Sequence, residues 1–349
     1  MALSFGVAWS YGTAANLAND YSMSSNPNGD WSYGSRSAPT GTAFSIFTAN
    51  ALASGVTGTM RYWRDPSVQY LGVYKNMGTV LFNGGEGTLV PAGETMLHPS
   101  NGIAAVARYQ VPNTGQYRIV SATTRAGGHA GLARFSIVIN GAVIYGENAT
   151  QIYIYQALHT ESVNLTTGDL LDFVVDRGDA NLASDSTGIR VGVYRETLIE
   201  PVQVATIETT EGIEFEGDVS SLLNSDNSRY SALSDDSTLG ATMEMFGMMT
   251  VVDPTCVWFN YESVAGRPGL AEEVSFYDTV ANQWASMFGR VAPINDSATT
   301  VTVLQNTARF KSGLGLVGAR IQWRPINDED PSQDGWLLSL DQASWEAAH

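Results

Sequence analysis

Short runs of alternating apolar and polar side chains, each closed by a turn signal, constrain this chain more than any other feature. A helix needs an apolar stripe with a period near 3.6, whereas a period of two fits a pleated strand. In 116–122, Tyr117, Ile119 and Ser121 share one face, and Arg118, Val120 and Ala122 the other. The run 133–140, with Phe135, Ile137 and Ile139, meets 142–145 across Asn140-Gly141, the dipeptide best suited to a two-residue hairpin. Thr166-Thr167-Gly168-Asp169 turns 160–165 into 170–175, and further strands are expected at 43–49, 69–74, 79–82, 104–111 and 188–194. Segments this short and regular predict two antiparallel sheets packed as a sandwich or jelly roll.

The second half keeps the same rhythm. Strands are expected at 202–208, 243–252, 256–262, 273–278, 299–304, 317–324 and 336–340. Helical turns are expected at 218–225 and 228–233, and an exposed acidic loop at 324–335. Charge divides the chain at one point: residues 1–197 hold 11 basic and 13 acidic side chains, and residues 198–349 hold 7 and 22. That break predicts two units. The expected fold class is all-β, with two antiparallel β-sandwich or jelly-roll domains in tandem and few short helices. The expected layout is an N-terminal arm at 1–18, a first sandwich at 19–197 and an acidic second sandwich at 198–349.

Composition narrows function by exclusion. A net charge of −17, with only two Lys beside 16 Arg, suits no nucleic-acid backbone. No apolar run reaches about 18 residues, so membrane insertion is not expected. Met1–Ala15 contains no Lys or Arg, so no secretory signal is read there. A single Cys excludes disulfide frameworks and Cys-based zinc sites. Gly313-Leu314-Gly315-Leu316-Val317-Gly318 fits the dinucleotide string G-x-G-x-x-G, but it leads into a strand-like run where that site needs a helix. The histidines are scattered. Glu214 and Glu216 fall on one face of a strand across Phe215, which leaves a glycoside hydrolase open.

Two constellations point to binding. Asp169, Asp172, Asp176, Asp179 and Asp185 offer hard oxygen donors near turns, the chemistry of a structural Ca²⁺ site. Asp172, Asp179 and Asp185 are its candidate ligands, and no other cofactor is expected. Aromatic residues concentrate at Trp31/Tyr33, Tyr62/Trp63, Tyr70/Tyr74 and Tyr153/Tyr155. In 151–155 alternation places Gln151, Tyr153 and Tyr155 on one face and the isoleucines on the other. Flat rings beside side-chain amides suit sugar C–H faces and hydroxyls. Trp31, Tyr33, Tyr62, Trp63, Gln151, Tyr153 and Tyr155 are therefore candidates for glycan binding or subunit contact, the alternative being rings that cap sandwich edges.

Several phrases of the first half resemble a carbohydrate-binding-like module of secreted bacterial surface proteins. They are Asn26-Pro27-Asn28-Gly29-Asp30-Trp31-Ser32-Tyr33-Gly34, Met96-Leu97-His98-Pro99-Ser100, Ile137-Val138-Ile139-Asn140-Gly141 and Thr167-Gly168-Asp169-Leu170-Leu171-Asp172-Phe173. Val274-Ser275-Phe276-Tyr277-Asp278, Asn282-Gln283-Trp284 and Ala319-Arg320-Ile321-Gln322-Trp323-Arg324 resemble a β domain that accompanies such modules. The resemblance implies a non-catalytic extracellular role. The reading is a structural or adhesion protein of a virion surface (capsid decoration, head or tail fibre) or of an extracellular assembly, with glycan-binding potential. Its expected partners are copies of itself, a larger assembly and surface glycans. A secreted bacterial carbohydrate-binding surface protein is the first alternative and a glycoside hydrolase the second.

Overall fold

In the computed structural model, Asn140 and Gly141 both take positive φ, 48° and 89°. Positive φ at both central residues is the type I′ turn, whose twist matches that of the two strands it joins. The structure describes residues 15–85, 87–127, 133–150, 159–178, 185–196, 199–224, 226–235, 240–304, 306–326 and 336–348. They form two compact units, Ala15–Glu196 and Thr197–His349. Among the described residues there is no α-helix, only 3-10 turns such as Val219–Leu222 and Thr307–Phe310.

The strands of the first unit are β1 (Ala15–Asn16), β2 (Trp31–Arg36), β3 (Ser45–Ile46), β4 (Ala49–Ser54), β5 (Thr59–Arg64), β6 (Gly72–Asn76), β7 (Phe82–Asn83) and β8 (Leu89–Val90). They continue as β9 (Thr95–His98), β10 (Ala104–Gln110), β11 (Gly115–Arg125), β12 (Ala133–Ile139), β13 (Ala142–Asn148), β14 (His159–Leu165), β15 (Leu170–Arg177) and β16 (Thr187–Arg195). One sheet runs β14-β11-β16-β9-β6-β5-β4 and the other β13-β12-β15-β10-β2-β3, all antiparallel. Alternation sends Ile119, Ile189 and Val191 from one sheet against Phe135, Ile137 and Phe173 from the other. Ala15 and Asn16 pair with β16, and Leu17 and Ala18 are buried, so the last four residues of the expected arm sit in this sandwich. Residues 1–14 lie outside the described residues.

The second unit holds β17 (Ile199–Glu211), β18 (Ile213–Glu216), β19 (Tyr230–Leu233), β20 (Ala241–Met248), β21 (Cys256–Ala265), β22 (Leu270–Asp278), β23 (Gln283–Val291), β24 (Ser297–Val303), β25 (Leu316–Pro325) and β26 (Leu337–Ala348). In one layer β26 lies between β21 and the pair β17 and β19, with β24 outside β21. The other layer runs β17-β20-β25-β22-β23. Strand β17 serves both: Ile199–Gln203 pairs with β26, and the ladder to β20 begins at Val204. Phe259 and Trp345 from the first layer meet Phe276 from the second, with ring centroids 6.2 and 4.9 Å away. Cys256, Met243 and Met245 are buried as core filling. The fold is all-β and built from sandwiches, as the alternation predicts. Local expectations fail at 79–82, where only Phe82 belongs to a strand, and at 228–233, where Tyr230–Leu233 forms β19 because Ser231 and Ala232 are held in the ladder to β26.

Candidate functional site

The structure removes most of the described aromatic candidates from the surface. Trp31, Tyr33 and Trp63 are buried, at 2%, 0% and 6% exposure, so none of them is a platform. The cause is parity. Trp31 and Tyr33 lie on the core-facing side of β2, packed on Tyr109, Phe173 and Tyr21, and Trp63 donates its indole N–H inward to the Ser22 carbonyl. Tyr62, one residue from Trp63, points the other way and stays half-buried. Gln151, Tyr153 and Tyr155 lie outside the described residues.

The calcium expectation is corrected in the same way. Asp172 is almost fully buried, but its carboxylate is taken by two guanidinium groups. Arg108 donates from Nε at 2.6 Å and from Nη2 at 3.0 Å, and Arg36 reaches the same carboxylate. Phe44 covers the group, its ring 4.2 Å from the Arg108 guanidinium carbon. Burial, helped by the neighbouring Arg108, pushes Arg36 down to about 10, so it is still charged at neutral pH. Asp185 faces Arg177 at 3.2 Å. Arg177 lies five residues along β15 from Asp172, about 16 Å at the strand rise, so the two carboxylates cannot share an ion. Asp169 caps its own turn, accepting from the Thr166 N–H and the Asn140 amide. Asp179 lies outside the described residues, and among those described no cluster of acidic, His or Cys side chains could hold a metal.

Glu214 and Glu216 do not share a face as alternation predicts: β18 bulges between them, so Glu214 pairs with Ala232 and Glu216 with the adjacent Ser231, which points to the other side of the sheet. They accept from Tyr230 Oη at 3.0 Å and Ser231 Oγ at 3.5 Å on an exposed edge strand. His98 bonds its neighbour's carbonyl at Pro99, and His159 stacks on Tyr145. Burial pushes both imidazoles below their ordinary value. These are packing roles.

The arrangement with chemistry lies on the outer face of the second unit's β17-β20-β25-β22-β23 layer. Phe246 pairs with Gly318, and one residue from the Phe276–Ala319 pair Gly318 falls opposite Tyr277, which pairs with Trp284. One row across four strands therefore reads Phe, Gly, Tyr, Trp. Strands β20 and β23 are three spacings apart, about 14 Å, yet the Phe246 and Trp284 ring centroids are 6.2 Å apart. Both rings lean over the glycine. A Cβ at Gly318 would come within 2.8 Å of the Phe246 ring and 3.3 Å of Tyr277 Cβ, so only glycine leaves the row closed. Tyr277 meets Trp284 edge-on at 5.3 Å and donates its hydroxyl to Asn282 Oδ1 at 2.6 Å. The β22–β23 turn is fixed by Asp278, which accepts from the Val280 and Ala281 N–H groups and from Arg309.

The next row on that face carries charge. Glu208 lies opposite Glu244, Glu244 opposite Arg320, and Arg320 opposite Ser275. The Arg320 guanidinium carbon is 4.9 Å from the Trp284 ring centroid, and its Nε is buried without a hydrogen bond. Burial is the main cause that raises the Glu244 carboxyl, with Arg320 opposing and Glu208 adding to the rise. On the far side of the aromatic row Met248 and Leu316 pair with 53% and 41% exposure. The face thus offers half-buried rings, one cationic fork and flanking carboxylates.

No protein-family model matches this sequence, and no curated protein matches it. Solved structures give loose likenesses, among them carbohydrate-binding β-sandwiches of the kind the sequence resembles. The tandem CBM51 modules of a family 98 glycoside hydrolase from Streptococcus pneumoniae are 9% identical, over 86% of this chain and 97% of that one, at a TM-score of 0.26. A Clostridium perfringens CBM51 in complex with methyl-galactose is 10% identical, over 52% of this chain and 99% of that one, at 0.27. The infectious bursal disease virus structure is 10% identical, over 91% of this chain and 70% of that one, at 0.26. Superpositions this loose leave function to the geometry of the chain itself.

Sequence reading missed Phe246, Gly318 and Arg320 as a site. The signal was a glycine two residues before an arginine on the outward side of a strand, where a bulky row needs a gap. Among the described residues no helix is long and apolar enough to cross a membrane.

Proposed function

We propose that this chain is a non-catalytic saccharide-binding protein that holds its ligand on the outer face of the second sandwich. The row Phe246–Gly318–Tyr277–Trp284 carries this reading. Three rings gathered over one glycine give a preformed apolar surface for the C–H face of a sugar, with little side-chain entropy left to lose. Arg320 supplies donors and Glu244 acceptors for ring hydroxyls beside that surface. Glu208, Glu244 and Glu273 repel anions there, so the ligand class is a neutral glycan. Nothing in the row provides a paired acid and base, which favours binding over turnover.

The two compact units act as separate domains in this reading, on a virion surface or in an extracellular assembly. The exposed Ile213 and Phe215 of edge strand β18 give a neighbouring copy something to grip. The test is a glycan array probed with the whole protein and with Trp284→Ala and Tyr277→Ala. Retention of neutral glycans by the parent, lost about tenfold or more in both variants at unchanged melting temperature, supports the reading. Equal retention by all three proteins removes it. Immunolabelling of intact particles or cells tests the location, and signal only after lysis argues against it.

A further inference from the structure

The first sandwich carries an aromatic cluster of its own, and one backbone angle draws attention to it. Strand β5 ends at Arg64 and β6 begins at Gly72, so 65–71 is a hairpin loop. Tyr70 in that loop has a φ of 63°. Every other described residue with left-handed backbone is Gly or Asn. A bulky side chain there is strained, a cost that proteins keep where a side chain must be presented. The hydroxyl of Tyr74 holds the strain in place by donating to the Tyr70 carbonyl at 2.7 Å. The result is a ring left 62% exposed and tilted 5.9 Å from His98.

Register assembles the rest. Arg64, Gly72 and His98 are opposite one another across β5, β6 and β9, and Tyr62, Tyr74 and Met96 form the adjacent row on the same face. The Tyr62 and Tyr74 rings stack at 4.2 Å and 7°, and a Cβ on Gly72 would lie 3.0 and 3.1 Å from them. The Arg64 guanidinium carbon stands 5.7 Å from the Tyr62 ring centroid. Arg36, Arg108, Arg190 and Arg290 each hold a carboxylate. Arg64 holds none among the described residues, and its Nε is buried without a hydrogen bond. In a chain with 35 acidic and 18 basic residues, a guanidinium left over beside an exposed ring is a recognition element.

We propose that Arg64 and Tyr70 form a second saccharide site, selective for a sugar that bears a carboxylate, with half-buried Tyr62 and buried Tyr74 as the packed support beneath them. The Tyr70 ring takes the apolar face of the sugar, and the guanidinium fork takes the carboxylate through two parallel hydrogen bonds. This site goes beyond the platform on the other sandwich and differs from it in charge: one row of glutamates repels what this arginine attracts.

Titration calorimetry of the whole protein with tetragalacturonate, tetramannuronate and their methyl esters tests it. At least one acid tetramer is expected to bind, with its ester weaker by about tenfold or more, the worth of one charge-assisted pair. Arg64→Gln should weaken the acid by a similar factor. Tyr70→Gly should do the same while leaving the melting temperature unchanged or raised, because glycine relieves the left-handed backbone. Trp284→Ala should leave acid binding within about twofold. No binding of either acid, equal binding of the esters, or full binding by Arg64→Gln overturns the proposal. Loss of acid binding in Trp284→Ala also overturns it and leaves the platform reading intact.

Discussion

The aromatic residues of β2 and β5 in the first sandwich resemble those of β20, β22 and β23 in the other, yet the two sets do opposite things. Trp31, Tyr33 and Trp63 fill a core, whereas Phe246, Tyr277 and Trp284 cover the outside of a sheet. Alternation makes the difference. A shift of one residue along a strand moves a ring from interior to exterior, so aromatic density alone says nothing about which side is used. What marks the exterior row is its partner, a glycine in the middle strand on the same face.

Substitutions in the two sets of rings should separate core from surface by their cost. The largest effect is expected from Asp172→Ala, which strips the counter-charge from two arginines beneath Phe44. A loss of about 3–5 kcal/mol is expected, because the buried guanidinium groups keep their desolvation cost without a partner. Urea unfolding measures it, with hydrogen exchange expected to rise in β10 and β15 and to stay unchanged in the second unit. Trp31→Ala should cost a similar ~3–5 kcal/mol as a core cavity. Trp284→Ala should cost only about 1 kcal/mol or less, as a surface change does. If the two tryptophans cost the same, the division into core rings and platform rings is wrong. Gly318→Val is expected to push Phe246 aside, lowering neutral-glycan binding by about tenfold with a modest change in stability.

The smallest effect involves pH. Asp176 has its carboxyl raised from the ordinary 3.8, chiefly by burial and with Arg134 opposing, and its Oδ2 has no hydrogen bond. A carboxyl raised in the folded state costs stability above its folded pKa, and the cost fades as pH falls toward the unfolded value. Asp176→Asn should therefore raise the melting temperature at pH 7 and make no difference near pH 3. An unchanged midpoint at pH 7 would show that the ionised group is not penalised.

Much of the fold was legible because period-two patterning is local. The β12–β13 hairpin, the β14–β15 turn and the faces of β11 follow from alternation and turn chemistry alone. Strand β23 was not legible. Its residues Ala285, Met287 and Phe288 all pack toward the core across a bulge opposite Val274 and Ser275, which destroys the alternation that marks a strand. The platform was hidden for the same reason, since Trp284 stands on that strand. The candidate calcium set failed because sequence shows carboxylates and not their counter-ions: Arg36 is 136 residues from Asp172 and reaches it only through the β2–β10–β15 pairing.

The strand that serves both layers of the second unit has a mechanical consequence. Ile199 and Ala348 are register partners, so the first and last strands of that unit begin and finish side by side. A load applied between those two positions opens the ladder like a zipper, rung after rung, where an offset pair would have to shear all its bonds together. A particle or cell tethered through both positions would feel a soft, extensible link, and one held through Ile199 and the far end of β26 a stiff one.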